Sequence, residues 1–195
     1  MNWYRKIAMP VYDVFHGTGN AESIYDKGFS YEYIGNGNDE YGPGFYFTND
    51  EGTANRYVGE GSSPGVIRAK VNLSNPIEID GVQPGTFFEK FPPMDANQVR
   101  QALEYSLSKF GDDFLYNWGD VGYEGRENVI ETVVREYAGK PMMSVIYDFF
   151  HADTVEGFNY IRDNLGYDGI VVSFNDGVQI IVAWFQSQIE IEGRS

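Results

Sequence analysis

The chain has 195 residues and a formal net charge of −15, from 14 Lys and Arg against 29 Asp and Glu. Hydrophobic residues make up 42% and aromatics 16%, too many for a disordered chain and enough for one domain with a sizeable core. With no cysteine and two histidines, a disulfide framework, a thiolate metal site and a histidine-based metal cluster are excluded; no calcium-loop spacing is present, and the acidic field repels bulk nucleic acid and anionic membranes while suiting a basic partner.

Residues Pro10 to Phe15 read as a buried strand feeding into His16. Asn20 to Lys27 reads as a short helix, with Asn20 in the N-cap position and Gly28 as its stop. Gly35 to Gly44 carries Gly-Asn-Gly-Asn and Gly-Pro-Gly and reads as a loop. Phe45 to Thr48 is a short strand, and Asp50 can cap a helix running to about Val58. Gly59 to Gly65 is a loop, Val66 to Leu73 alternates as a half-buried strand, and Ile77 to Ile79 is a further strand signal.

The middle of the chain is helical. Asp95 caps an apolar-periodic segment (Val99, Ala102, Leu103, Leu107, Phe110) that stops at Gly111. Helices follow over Glu127 to Ala138, Met142 to Phe150, and from an Asp153 cap to Gly166. The chain then returns to strands at Gly169 to Phe174, Val178 to Phe185 and Gln188 to Ile191. Helices set between two groups of strands predict an α+β fold in one domain over residues 1–190, with a helical insertion at about 84–158. Ile191-Glu192-Gly193-Arg194 matches the cleavage sequence of a coagulation protease used in expression vectors, so residues 191–195 can be an engineered tail outside the fold. No bilayer-length apolar run and no basic-plus-apolar leader is visible, and a soluble chain without an export signal is expected.

The chemistry-bearing residues come early. Phe15-His16-Gly17-Thr18 is followed by Gly44-Phe45-Tyr46-Phe47-Thr48 and then by Ala54-Asn55-Arg56-Tyr57. A histidine at a strand end with two tyrosines beyond it can stack a flat ring and hold a ribose hydroxyl. Arg56 can pair a diphosphate or simply face solvent. Taken singly, each feature reads as ordinary structure: a core histidine, core aromatics, a tight turn. His151, at the end of an aromatic helix, reads as structural or as a helix C-terminal charge.

In order and spacing, these blocks resemble the ADP-ribosyltransferases of the diphtheria-toxin and poly(ADP-ribose) polymerase class. The strand pair ending Leu73-Ser-Asn-Pro76-Ile-Glu-Ile-Asp80 and the late Gly166-Tyr167-Asp168-Gly169 and Gln179-Ile-Ile-Val-Ala-Trp184 blocks are similar to bacterial and phage members, including the transferase domains of polyvalent phage proteins. The resemblance leaves about Pro84 to Phe158 uncovered. It implies a split two-sheet α+β fold that binds NAD as co-substrate, with no metal. His16 then holds ribose hydroxyls, the Gly17 backbone holds the nicotinamide carboxamide, Thr18 fixes the loop or touches the ribose, and Tyr46 and Tyr57 sandwich the nicotinamide ring. Ala54 stands where the polymerases place a small residue against the carboxamide.

The resemblance also implies a catalytic glutamate opening a late strand. Aligning on Ile181-Val182 puts Gln179 there, whereas aligning on Gln188-Ile189 puts Ile180 there, and strand alternation lets only one face the site. Gln179 is the preferred assignment, because an amide still bonds a ribose hydroxyl. Glutamine keeps the shape and loses the charge, which leaves three readings open: a weak or redirected transferase, an NAD-binding pseudoenzyme, or a toxin deliberately inactivated by Glu-to-Gln substitution. Gln188-Ile-Glu190 faintly echoes the arginine-centred transferase class, but no first-strand arginine accompanies it.

The resulting expectation is an NAD-dependent mono-ADP-ribosyltransferase, a glycosyltransferase-class enzyme of the bacterial or phage toxin and effector kind, cytoplasmic in a bacterial or phage-infected cell. His16, Tyr46 and Gln179 are its catalytic set, and Gly17, Thr18, Tyr57 and Arg56 join His16 and Tyr46 in binding NAD. The acidic surface favours a protein target over RNA or DNA and suits an antitoxin or other basic inhibitor as partner. Its rivals are an NAD-binding module without transfer and a structural phage protein that keeps only the fold.

Overall fold

The structure, a computed structural model, describes residues 10–34, 40–81, 87–150 and 154–195. The chain divides into two compact units, Met1–Val82 with Tyr167–Ser195, and Gln83–Gly166.

The first unit is built on seven strands: β1 (Val11–Thr18), β2 (Phe45–Thr48), β3 (Gly65–Asn72), β4 (Ile77–Asp80), β5 (Gly169–Ser173), β6 (Gln179–Ala183) and β7 (Ile189–Arg194). Their spatial order is β4-β5-β6-β2-β1-β3-β7. Neighbours run antiparallel except β4 and β5, which are parallel with Ile77 opposite Ile170. Parallel neighbours require a long crossover, and the second unit fills that connection. Val14, Phe45, Phe47, Ile67, Ala69, Val71, Ile181 and Ala183 share one apolar face, joined by Ala21 and Ile24 of helix α1 (Ala21–Lys27). Helix α2 (Glu51–Asn55) adjoins β1, β2 and β3, its buried Ala54 against Gly17 of β1. With the helices of the second unit, the mixed sheet makes this an α+β protein.

The second unit holds α3 (Ala96–Phe110), α4 (Val121–Glu124), α5 (Arg126–Tyr137), α6 (Met142–Phe149) and α7 (Thr154–Asn164). Asp95 and Gln98 close a capping box at the start of α3, through Gln98 N–H to Asp95 Oδ1 at 2.8 Å and Asp95 N–H to Gln98 Oε1 at 3.0 Å. Gly111, at φ 83°, ends it. Val99, Leu103 and Leu107 of α3 pack with Val129, Val133, Ile146 and Phe149 in a buried core. The unit extends to Gly166, beyond the expected limit near 158, because α7 packs on α6. A 3-10 turn over Asp112–Asn117, with Leu115 buried, carries no periodicity in the sequence.

Three local expectations are corrected. Asn20 precedes α1 without capping it; its Oδ1 instead accepts from the Ser62 hydroxyl at 3.1 Å and the Ser62 N–H at 3.4 Å. Helix α2 is capped by Asp50, whose Oδ2 accepts from Thr53 N–H at 2.6 Å, but it ends at Asn55 and not near Val58. The next amides tighten to a three-residue step, Arg56 N–H to Thr53 O at 3.1 Å and Tyr57 N–H to Ala54 O at 3.0 Å, so Tyr57 lies in a turn. Residues 191–194, set outside the fold by the sequence reading, belong to β7, where Ile191 pairs with Ala69 and Glu192 forms an ion pair with Lys70. Among the described residues no helix is long and apolar enough to cross a membrane.

Candidate active site

The site begins at a seam in the sheet. β1 pairs with β3 at eight positions from Val11 opposite Asn72 to Thr18 opposite Gly65, but with β2 at one, Phe15 opposite Thr48. Next to that pair the His16 ring stands in for the ladder, with Nδ1 2.8 Å from the Tyr46 carbonyl oxygen. The ring meets Phe29 edge-on at 5.1 Å and tilts over Phe47 at 5.7 Å. Burial lowers the His16 pKa below its ordinary value, partly offset by the Tyr46 hydrogen bond. The neutral ring therefore donates from Nδ1 to Tyr46 O, and Nε2 is left as an acceptor.

Gly17 faces the other way. A Cβ there would sit 1.9 Å from the Ala54 carbonyl oxygen and 3.1 Å from the Tyr57 carbonyl carbon. The close approach that glycine permits is thus made by the end of α2 itself. This packing brings Ala54 and Tyr57 beside β1, and Tyr57 is 65% exposed. Arg56 is exposed in the same turn.

Tyr46 is held by the turn before its own strand. Its hydroxyl accepts from Tyr41 N–H at 2.9 Å and donates to Gly42 O at 2.5 Å. Gly42 adopts φ 90°, a left-handed conformation that favours glycine. Tyr41 is buried, and its phenol is pushed up to about 12 by burial first, then by the nearby Glu40 and Tyr57. Tyr41 thus anchors the Tyr46 hydroxyl through its backbone N–H, a role for which the sequence offers only its place next to Gly-Pro-Gly. Residues 35–39 of the expected loop lie outside the described residues.

The register of β2 on β6 settles which late residues share a face. Tyr46 opposes Val182, Phe47 opposes Ile181 and Thr48 opposes Ile180. Directly opposed residues point to the same side and neighbours alternate. Ile180 therefore stands with Tyr46 and Thr48, and Gln179 on the side of Phe47 and the His16 ring. Gln179 and His16 lie two strands apart and two residues out of level, roughly 12 Å by strand spacing and rise. Gln179 Nε2 donates to Ser173 Oγ at 3.0 Å, and Gln179 N–H donates to Asn49 Oδ1 at 2.8 Å. Sequence reading missed Ser173 and Asn49, because their role depends on long-range pairing.

The structure thus gathers Gly17, Ala54 and Tyr57 in one place and His16 with the Tyr46 backbone in another, with Gln179 further along the His16 side. Thr18 Oγ1 accepts from Asn20 N–H at 3.2 Å, fixing the turn after β1. His151 lies outside the described residues. Among the described residues no group of three or more His, Asp or Glu is placed to hold a metal ion.

A sequence profile of the family described as ADP-ribosyltransferase in polyvalent proteins matches residues 10–191. No curated protein and no solved structure matches the chain.

Proposed function

The chain belongs to the ADP-ribosyltransferases of polyvalent proteins, and on that premise we propose that it is an NAD-dependent mono-ADP-ribosyltransferase acting on a protein. The observation that carries the reading is the seam: His16 and Tyr46, from the strands holding the first and second motifs, are joined there by a 2.8 Å bond.

In this reading the neutral His16 ring accepts a ribose hydroxyl at Nε2, its orientation fixed through Nδ1. The exposed Tyr57 ring, carried beside β1 by the packing of Ala54 on Gly17, supplies a stacking face for the nicotinamide, with Tyr46 held stiffly behind the turn. The bond between ribose C1′ and the nicotinamide nitrogen breaks, and its electron pair leaves with nicotinamide. C1′ gains oxocarbenium character, the acceptor nucleophile bonds to it, and the acceptor's proton passes to solvent water, since position 179 holds no carboxylate to take it. Gln179 orients a ribose hydroxyl without adding negative charge, so the charge term a carboxylate would supply is missing. Long polymer synthesis is disfavoured on the same ground.

The net charge of −15 supports a protein acceptor over a polyanion and a basic antitoxin or inhibitor as partner. A toxin or effector acting in the cytoplasm of a bacterial or phage-infected cell fits this set. Calorimetry with NAD tests the reading, since no binding at millimolar NAD removes every nucleotide role.

A second reading, an NAD-binding module without transfer, is favoured by one observation: the carboxamide of Gln179, where the family pattern expects a carboxylate, rests on Ser173. Nicotinamide release by the Gln179→Glu variant separates the two. Release by that variant, with little by the parent chain, supports a transferase silenced at this position. A Glu variant that binds NAD and releases nothing supports the binding module.

A further inference from the structure

We propose that Ser173 and Asn49 are positioning residues for the ribose end of the substrate, acting through Gln179. The inference rests on the transferase reading above and extends it to two residues outside the family's motifs.

Gln179 opens β6 just after a tight turn in which Gly177 has φ 88°. A strand's first residue after such a turn is where pairing ordinarily frays. Here it is tied on both flanks. On one side Gln179 lies opposite Ser173 of β5, and its Nε2 donates to Ser173 Oγ at 3.0 Å. On the other, Asn49 follows β2 and clasps the Gln179 backbone. Gln179 N–H donates to Asn49 Oδ1 at 2.8 Å, and Asn49 N–H returns to Gln179 O at 3.3 Å. Asn49 Nδ2 donates onward to Gly177 O at 3.1 Å, closing the turn. The side chain of position 179 is thereby fixed in direction as well as place. With Nε2 on Ser173, Oε1 is the acceptor left for a hydroxyl, which is the polarity a ribose 2′- or 3′-OH requires.

Asn49 also reaches the other half of the site. The next residue, Asp50, caps α2, whose end carries Ala54 and Tyr57 against Gly17. One short segment, Asn49-Asp50, therefore sets both the residue facing the ribose and the turn bearing the stacking ring. Preorganised groups of this kind raise affinity by removing the cost of ordering them on binding.

The test uses the full chain with Ser173→Ala, Ser173→Thr and Asn49→Asp. The readouts are the dissociation constant for NAD by calorimetry, the side-chain amide signals of Gln179 by nitrogen-proton NMR, and thermal midpoints. Ser173→Ala is expected to move the Gln179 amide pair to the position of a free glutamine and to weaken NAD about 5–10-fold, with the midpoint unchanged. Ser173→Thr keeps the hydroxyl and restores both. Asn49→Asp keeps the acceptor for Gln179 N–H but sets a carboxylate oxygen against Gly177 O in place of the donated bond, so it opens the turn and weakens NAD while leaving Gln179 Nε2 on Ser173. In a Gln179→Glu background, Ser173→Ala removes a donor to the new carboxylate and shifts the acidic limb of nicotinamide release to higher pH, which a merely structural role would not do. Unchanged amide signals and unchanged NAD affinity in Ser173→Ala overturn the inference while leaving the transferase reading intact. A parent chain that binds no NAD overturns both, even with an ordered Gln179 amide.

Discussion

His16 Nδ1 and the Tyr46 carbonyl oxygen are 2.8 Å apart across a seam that backbone pairing closes only at Phe15 and Thr48. A side chain has taken the place of a ladder bond. The histidine therefore helps hold two halves of a sheet together, and in the proposed function its Nε2 also meets the ribose. The first expected outcome follows directly. His16→Ala removes the donor to Tyr46 O and the acceptor for the ribose, so it abolishes NAD binding in calorimetry. It also lowers stability by about 1–3 kcal/mol, the usual effect of stripping a partner from a half-buried polar group. Retention of full affinity would refute the assigned role.

The same ring predicts a pH dependence. Burial holds the His16 pKa below its ordinary 6.5 in the folded chain. Between 6.5 and that lowered value the unfolded chain binds a proton that the folded chain does not, so stability falls as pH drops through this window. Asp50, Asp112, Glu156 and Asp163 have pKa values lowered chiefly by side-chain hydrogen bonds. Their stabilisation is lost at lower pH, as it falls through their folded values. Urea midpoints measured from about pH 7.5 to about pH 5 should decline for the parent chain and decline less for His16→Gln; parallel slopes would remove His16 as the cause.

How legible these features are in the sequence depends on their range. Strands such as Val66 to Leu73 show themselves because alternation is local, and α3 because Asp95, its apolar period and Gly111 are all adjacent in the chain. The end of α2 is hidden, since Asn55-Arg56-Tyr57 carries no stop signal and the helix is cut short by docking against Gly17. The parity of the candidate catalytic position is hidden for a deeper reason. Whether Gln179 or Ile180 stands with Tyr46 is fixed by β6 inserting between β5 and β2, a pairing more than a hundred residues apart in sequence for Thr48 and Ile180. Ser173 and Asn49 gain their roles from that same insertion.

Gly17 tests how tightly α2 closes on β1. An added methyl would fall 1.9 Å from Ala54 O, a backbone atom that no side-chain rotation can move away. Gly17→Ala should push the Ala54 to Tyr57 segment outward and cost about 1–3 kcal/mol, as overpacking does. NAD affinity should fall with it, because Tyr57 is carried by the displaced turn. Denaturant melts and calorimetry on the same variant read both effects.

Tyr46→Phe keeps the ring and removes the hydroxyl shared by Tyr41 N–H and Gly42 O. The turn before β2 should loosen, with faster hydrogen exchange at the Tyr41 amide and a stability loss of about 1–2 kcal/mol. NAD affinity should weaken only a few-fold, since the apolar face is retained. A loss as complete as that of His16→Ala would mean that the hydroxyl itself meets the ligand.

Gln188 separates scaffold from site. Its neighbour pattern, Gln188-Ile-Glu190, echoes a different transferase class, yet its side chain is buried and spent on the backbone. Oε1 accepts from Trp184 N–H at 3.0 Å and Phe185 N–H at 2.8 Å, while Nε2 donates to Asp168 O at 2.7 Å. Asp168 in turn accepts from Ser74 N–H at 2.5 Å and Asn75 N–H at 3.0 Å. One amide thus links the segment after β6 to the start of β5 and, through Asp168, to the turn before β4. Gln188→Ala withdraws the acceptor from two amides at once, and with each such loss worth about 1–3 kcal/mol the variant should lose about 2–6 kcal/mol. NAD affinity at temperatures where the variant stays folded should be unchanged, because none of these bonds reaches His16, Gly17 or Tyr57. A variant with full stability and no NAD binding would instead place Gln188 in contact with substrate and bring the echoed class back into consideration.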